Sequence, residues 1–395
     1  MKKFIYFPSF SVGDFGSALK NDTKLSGGLP LRFYSEEFPK KYQHPYFLTT
    51  AGHFYKTTEY AKKTGMDNGT LLLGDSGGFQ IASGALKWCP TLVPKIFQWL
   101  EDNSHIAMNL DIPPRMEYAG QYSTCLNISK QNFKYFADNQ TGKTKFLNVL
   151  QGEDDHTYKK WYDEIKQFSF NGWGIGGCGG SLFRFMSGIA TLLGGKEHLK
   201  DNNLYWHILG TSKITDFLIL SQLQKSLCEV NSNVTVTTDS SSPTRSVVYG
   251  LYYIGHSLKG GQFSCMNIEK RRTGDRFKTT SDHLPIITEF DYLLKDQYNM
   301  ENVYQWDSNA TLAIGLHNFM YFKYTMDVIN ELVGSDPLFL EQCISSDMFM
   351  VLQSIDAMVK SDNPMKIFNT YKPLYQKLSN TLIPLNTSLN KHFEF

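Results

Sequence analysis

The chain has 395 residues, enough for one large α/β barrel or two average domains and ample to bury a core. Lys and Arg number 39 against 38 Asp and Glu, a formal net charge of +1, so no global field announces a polyanionic partner and any nucleic-acid contact must come from a local patch. Six cysteines (Cys89, Cys125, Cys178, Cys228, Cys265 and Cys343) include no C-x-x-C pair, which argues against a disulfide framework or a cysteine-rich zinc site and fits a reducing compartment.

The opening Met1-Lys2-Lys3-Phe4-Ile5-Tyr6-Phe7-Pro8 is basic and apolar, but proline breaks it too early for a signal segment, and no run of about 18 apolar residues follows. A soluble, cytoplasmic protein with no membrane partner is expected. Residues 1–45, with Gly27-Gly28 and several aromatics, read as an irregular lead-in. From residue 46 a rhythm sets in. Strand-like runs occur at Tyr46 to Thr50, Leu71 to Leu73, His105 to Leu110, Phe146 to Leu150, Gly172 to Ile175, Tyr205 to Leu209 and Val234 to Thr238. Helix-compatible stretches such as Thr157 to Phe168 and Ile214 to Cys228 separate them. Alternating β and α units at this spacing predict a parallel sheet, and about seven of them point to a (β/α)₈ TIM-like barrel. Residues 46–254 are the expected barrel core. Residues 255–310 are polar and locally basic, an insertion or small subdomain, and a helical part at 311–378 completes the barrel. Residues 379–395, rich in Asn, Ser and Thr, read as a loosely packed tail.

In such a barrel the residues just past each strand converge on one face, where barrel enzymes place their sites. Here that set is polar: Asp75 in Leu71-Leu72-Leu73-Gly74-Asp75-Ser76-Gly77-Gly78-Phe79-Gln80, Asp111, Gln151 with Gly152, Gly176-Gly177 and Asp239. Singly, each is also an ordinary turn or cap residue. Together, three like charges in a half-dry mouth repel and are seldom assembled without a use. Two carboxylates facing one sugar–base bond suit displacement at an anomeric carbon, one as nucleophile and the other as proton donor and acceptor. A third carboxylate paired with an amide such as Gln151 suits a guanine-like edge, and a base in a helix has to be extruded to reach it.

Asp75-Ser76-Gly77-Gly78-Phe79-Gln80 resembles the signature of the tRNA-guanine transglycosylase superfamily of (β/α)₈ barrels. The same order continues through Asn109-Leu110-Asp111, Val149-Leu150-Gln151-Gly152, Gly174-Ile175-Gly176-Gly177, Leu209-Gly210-Thr211, Asp239-Ser240-Ser241-Ser242-Pro243-Thr244-Arg245 and Leu316-His317-Asn318-Phe319, over roughly residues 46–335. The resemblance implies that Asp239 is the nucleophile at C1′ and Asp75 the general acid and base. It implies that Asp111, Gln151, Gly176 and Gly177 hold the departing guanine and then an entering 7-deazaguanine, with Ser76, Phe79 and His207 beside the base and Arg245 on the nucleic acid. Base exchange of this kind needs no redox or nucleotide cofactor.

The departures from the family pattern are equally specific. The family's structural zinc uses a C-x-C-x-x-C cluster and a later histidine. His317 stands at that histidine's place, but His283 to Asp291 contains no cysteine, so no family-type zinc and no metal site are expected, and His317 reads as a packed residue at a helix start. An arginine that follows Pro-Thr-Arg in the family is Val248 here, and His207 replaces an apolar residue. These changes fall where nucleic acid is recognised, and the chain is most similar to the phage and bacterial DNA-guanine transglycosylases, which place 7-deazaguanines such as preQ0 in DNA; for a phage chain the compartment is the host cytoplasm. Lys270, Arg271, Arg272, Arg276 and Lys278 form the densest basic run, either a phosphate-contacting surface or a solvated loop. Two alternatives stay open: a tRNA enzyme, or a non-catalytic nucleic-acid-binding partner subunit.

Overall fold

Parallel strands covered by helices on one side and packed into a barrel on the other are buried on both faces, so they are written as near-continuous apolar runs. The computed structural model describes residues 2–25, 28–67, 69–114, 121–178, 180–267, 276–278, 303–305 and 308–381. Its eight barrel strands are β1 (Ile5–Pro8), β2 (Tyr46–Thr50), β3 (Leu71–Asp75), β4 (Ile106–Met108), β5 (Lys145–Leu150), β6 (Gly172–Ile175), β7 (Tyr205–Ile208) and β8 (Thr235–Ser240). They form one sheet in the order β1-β8-β7-β6-β5-β4-β3-β2, with every pairing parallel. Helices alternate with them, among them Val93–Asn103, Tyr122–Asn139, Asp155–Ile165, Leu182–Gly194, Ile214–Val230 and Ser308–Gly334. This is the (β/α)₈ barrel that the sequence predicts. Among the described residues no helix is long and apolar enough to cross a membrane.

One strand lies where the sequence predicts none. β1 falls inside the lead-in assigned to residues 1–45, and it is the strand that nearly closes the barrel. Four residues ending in Pro8 carry too weak a local pattern; their pairing is set by β8, where Phe7 lies opposite Asp239 and Pro8 opposite Ser240. A proline without an N–H is tolerated at such a strand end, and the next N–H, of Ser9, reaches the Ser240 carbonyl at 3.1 Å. The rest of the lead-in is not irregular filling either. Phe10, Phe33 and Phe38 are fully buried, and Phe33 lies 4.3 Å from Phe319 between ring centroids.

β1 and β2 lie side by side without a hydrogen-bond ladder. Side chains join them instead. Phe7 and Tyr46 meet edge to face at 5.7 Å, and His44 Nε2 lies 2.8 Å from the Tyr6 carbonyl. A carbonyl only accepts, so this nitrogen carries the proton and donates it. Burial pushes the His44 ring down to about 4, which keeps it neutral near pH 7.

The insertion begins earlier than the composition indicates. An antiparallel hairpin, β9 (Leu251–Ser257) and β10 (Gln262–Asn267), starts ahead of Gly255. A second short pair, β11 (Arg276–Lys278) and β12 (Val303–Gln305), follows. The expected tail starts inside the helix Pro364–Thr381; there Ser379 Oγ accepts a hydrogen bond from the Phe183 N–H at 2.8 Å. Residues 382–395 lie outside the described residues.

The seam predicts a pH effect. An unfolded histidine takes up a proton near its ordinary value of 6.5, whereas native His44 does so only near 4, so the unfolded state binds more protons between these values and stability is lost as pH falls through them. The full loss from this group is on the order of 3 kcal/mol. Urea unfolding from pH 7.5 to 5 should show a free energy that declines toward acid, and His44→Gln, which keeps a donor for Tyr6 but does not titrate, should decline less. Equal slopes for the two proteins would contradict the assignment.

Candidate active site

Strand register decides which side chains enter the barrel. Thr50 pairs with Asp75, Phe7 with Asp239, and His207 with Thr237. Side chains alternate along a strand, so Asp239, Thr237 and His207 share the interior face, and Thr50 and Asp75 do likewise. A cavity of about 580 Å³ opens at the C-terminal end of the barrel. It is lined by Ser9, Thr50, Asp75, Asp111, Gln151, Gly176, Leu209 and Asp239, one residue from the end of each strand or just beyond it. The structure thus brings Asp75, Asp111, Gln151, Gly176, Gly177 and Asp239 to one cavity.

Asp111 and Gln151 form a unit on one side. Gln151 Nε2 donates to Asp111 Oδ2 at 2.8 Å, and both residues are buried. Two glycines make the pair possible. A Cβ on Gly176 would stand 2.3 Å from Gln151 Nε2, and one on Gly78 would stand 2.8 Å from Asp111 Oδ1. Gln151 is delivered by β5, and the next residue, Gly152, packs so closely on Tyr158 of the helix Asp155–Ile165 that a Cβ there would stand 2.5 Å from its ring. That helix starts on a capping box, Asp154 Oδ1 accepting from the Thr157 N–H at 2.8 Å while Thr157 Oγ1 accepts from the Asp154 N–H at 3.0 Å.

Asp239 is held through one oxygen. The Gly210 N–H donates to its Oδ1 at 2.8 Å and His207 Nε2 lies 3.2 Å from the same atom. The ring's other nitrogen, Nδ1, lies 2.8 Å from Thr237 Oγ1. Oδ2 has no hydrogen-bond partner among the described residues. Asp75 ends β3. Burial raises its carboxyl above the usual carboxylate range, the neighbouring Thr50 hydroxyl and the Gly77 N–H act against that rise, and the negative charge of Asp239 adds to it.

Several expected site residues stand elsewhere. Ser76 follows an inward-facing residue, so it faces away; it is buried, its hydroxyl donates to the Asn109 carbonyl at 3.0 Å, and it does not line the cavity. His207 lies one layer below the cavity, 0 % exposed, and contacts Asp239 rather than the space a base would fill. Phe79 does stand at the mouth, 41 % exposed, as do Arg245 and the 71 % exposed Val248. Lys270, Arg271 and Arg272 lie outside the described residues, as do the side chains of Arg276 and Lys278 on β11.

His317 is not at a helix start but well inside Ser308–Gly334. Its Nε2 lies 2.9 Å from the Tyr253 carbonyl and its ring stacks on Tyr252 at 4.3 Å. Among the described residues no group of three or more His, Cys, Asp or Glu could hold a metal ion; His283 to Asp291 lie outside them. The Leu-His-Asn-Phe stretch acts as a clamp. Asn318 Nδ2 donates to the carbonyls of Pro243 and Leu251, and its Oδ1 accepts from the Tyr253 N–H. This fastens the segment that follows Asp239.

Sequence reasoning gave no role to Ser9, Thr50 or Gly210. Ser9 follows the strand that was not expected, whereas Thr50 is the last residue of a predicted strand and was available to the strand-end argument. Neither a scan of protein-family models nor a comparison with curated proteins finds a match to this chain.

The charge of Asp239 is one cause of the Asp75 shift, so Asp239→Asn should lower the Asp75 pKa while leaving it above the ordinary range, since burial is the larger cause. Carboxyl-carbon NMR titration of Asp75 in both proteins checks this. An Asp75 titration unaltered by the substitution would contradict the electrostatic coupling.

Proposed function

We propose that this chain is a guanine transglycosylase that exchanges guanine in DNA for a 7-deazaguanine base through a covalent aspartyl–C1′ intermediate. The observation that carries this reading is the meeting, in one cavity, of a carboxylate with one oxygen secured and the other unpartnered, a second carboxyl held toward its protonated form, and an acid–amide pair. A cavity of about 580 Å³ is in the range that accepts a small-molecule-sized group such as a flipped nucleoside.

In the first half-reaction Asp239 Oδ2 attacks C1′ as the bond from C1′ to the guanine ring nitrogen breaks. Asp75 gives its proton to the departing base. In the second half the incoming 7-deazaguanine gives up its ring proton to Asp75, its nitrogen bonds C1′, and the ester to Asp239 breaks. Asp111 accepts from the ring N–H and amino group of either base, while the Gln151 N–H not used on Asp111 and the Gly177 N–H serve the base carbonyl. Phe79 offers a stacking face at the mouth. The retained resemblance in these residues supports the superfamily. The exposed Val248 on the rim, where the family pattern has an arginine, supports a polymer other than tRNA. A non-catalytic partner subunit would have no need for both Asp75 and Asp239.

Purified protein given labelled guanine with DNA and tRNA in parallel should label DNA. Asp239→Ala should abolish exchange, and Asp75→Asn should slow it by about a hundredfold to ten-thousandfold with base binding kept. Because the departing base needs the Asp75 proton, wild-type cleavage of the guanine bond should slow as pH rises past the elevated Asp75 pKa. Labelled tRNA with inert DNA would contradict the choice of polymer, and normal exchange by Asp239→Ala would contradict the mechanism.

A further inference from the structure

We propose that His207 selects the sugar: it occupies, on Asp239, the acceptor position that a ribose 2′-hydroxyl would use, and so fits the site to a 2′-deoxynucleotide. This rests on the base-exchange reading of the same cavity.

The base leaves from one face of the sugar ring, so a carboxylate that displaces it approaches C1′ from the opposite face. In a ribonucleoside that opposite face carries the 2′-hydroxyl. When one carboxylate oxygen bonds C1′, the other comes to lie beside C2′ and is the natural acceptor for that hydroxyl. Hydrogen bonds to a 2-hydroxyl strengthen as a glycosidic bond breaks and contribute substantially to the rate.

In this chain that second oxygen is already full. A carboxylate oxygen offers two lone pairs, and Asp239 Oδ1 has the Gly210 N–H at 2.8 Å and His207 Nε2 at 3.2 Å. Because a carboxylate only accepts, Nε2 carries the proton. The ring cannot turn aside easily. Its Nδ1 is engaged by Thr237 Oγ1 at 2.8 Å, Phe7 stands edge-on with centroids 6.5 Å apart, and the residue is 0 % exposed.

Two consequences follow from a saturated Oδ1. For a 2′-deoxynucleotide, His207 and Gly210 supply the donors that the substrate lacks, holding Oδ1 as it becomes the carbonyl oxygen of the ester and leaving Oδ2 to attack. For a ribonucleotide, the 2′-hydroxyl meets an oxygen with no lone pair left and is desolvated without a partner. His207 is thus a positioning residue whose donor also discriminates between sugars. A histidine that merely filled the barrel would affect both sugars alike.

The test uses two DNA strands of one sequence, identical except that the target guanosine carries either a deoxyribose or a ribose, with labelled guanine as the probe. Wild-type kcat/KM should favour the deoxy target by about tenfold or more. His207→Leu should lower exchange at the deoxy target and narrow or invert the ratio, because the released lone pair accepts the 2′-hydroxyl. His207→Gln, which keeps a donor at the end of its side chain, should preserve the preference. Equal use of the two targets by the wild type, which requires no variant to fold, would overturn the inference, as would a His207→Leu protein slowed by the same factor on both. Exchange into neither strand would instead overturn the base-exchange reading, and this inference with it.

Discussion

Carboxylates repel one another, and the repulsion grows as water is excluded from between them. Asp14, Asp75, Asp111 and Asp239 all line one cavity, so the mouth of this barrel is held together against its own charge. For three of them the chain answers with separate local devices. Asp111 has the Gln151 amide, Asp239 has Gly210 and His207, and Asp75 is eased toward the protonated form by burial. The three carboxyl groups therefore stand in three different environments, which is what assigning separate tasks to like groups requires.

The barrel converts this into geometry. Each strand contributes its last inward position, and alternation of side chains fixes which residues those are. Glycines at Gly78 and Gly176 let backbone approach Asp111 and Gln151 where any Cβ would collide. The seam between β1 and β2 replaces a backbone ladder with Phe7, Tyr46 and a neutral His44. It lies in the same sheet arc as Asp239 and Asp75, since β8 pairs with β1 and β2 with β3. Asn318, far along the chain, ties down the backbone after Asp239 through Pro243 and Leu251. The surroundings of Asp239 thus depend on residues from both ends of the sequence.

What could be read from the sequence follows from the range of the forces involved. β2 to β8 are legible because strand-length runs, mostly apolar and each ending at a polar or glycine corner, recur with helix-compatible stretches between them. β1 is not, because four residues ending in proline become a strand only through β8, more than two hundred residues away. Asp75, Asp111, Gln151 and Asp239 are legible as polar residues that interrupt apolar runs at strand ends. The resemblance sets Ser76 and His207 beside the base, but Ser76 alternates outward from Asp75, and His207 points inward a layer deeper. Depth within a barrel is set by the shear between neighbouring strands, which no local pattern records.

The proposed exchange passes through a bond between Asp239 and a sugar carbon. Denaturing the protein during turnover on a guanine-containing DNA strand, digesting both polymers and locating the attached sugar by peptide mass spectrometry tests it most directly. A single modified peptide carrying the adduct on Asp239 is expected. An adduct mapped to Asp75 or Asp111, or base exchange with no adduct formed at any time in the reaction, would contradict it.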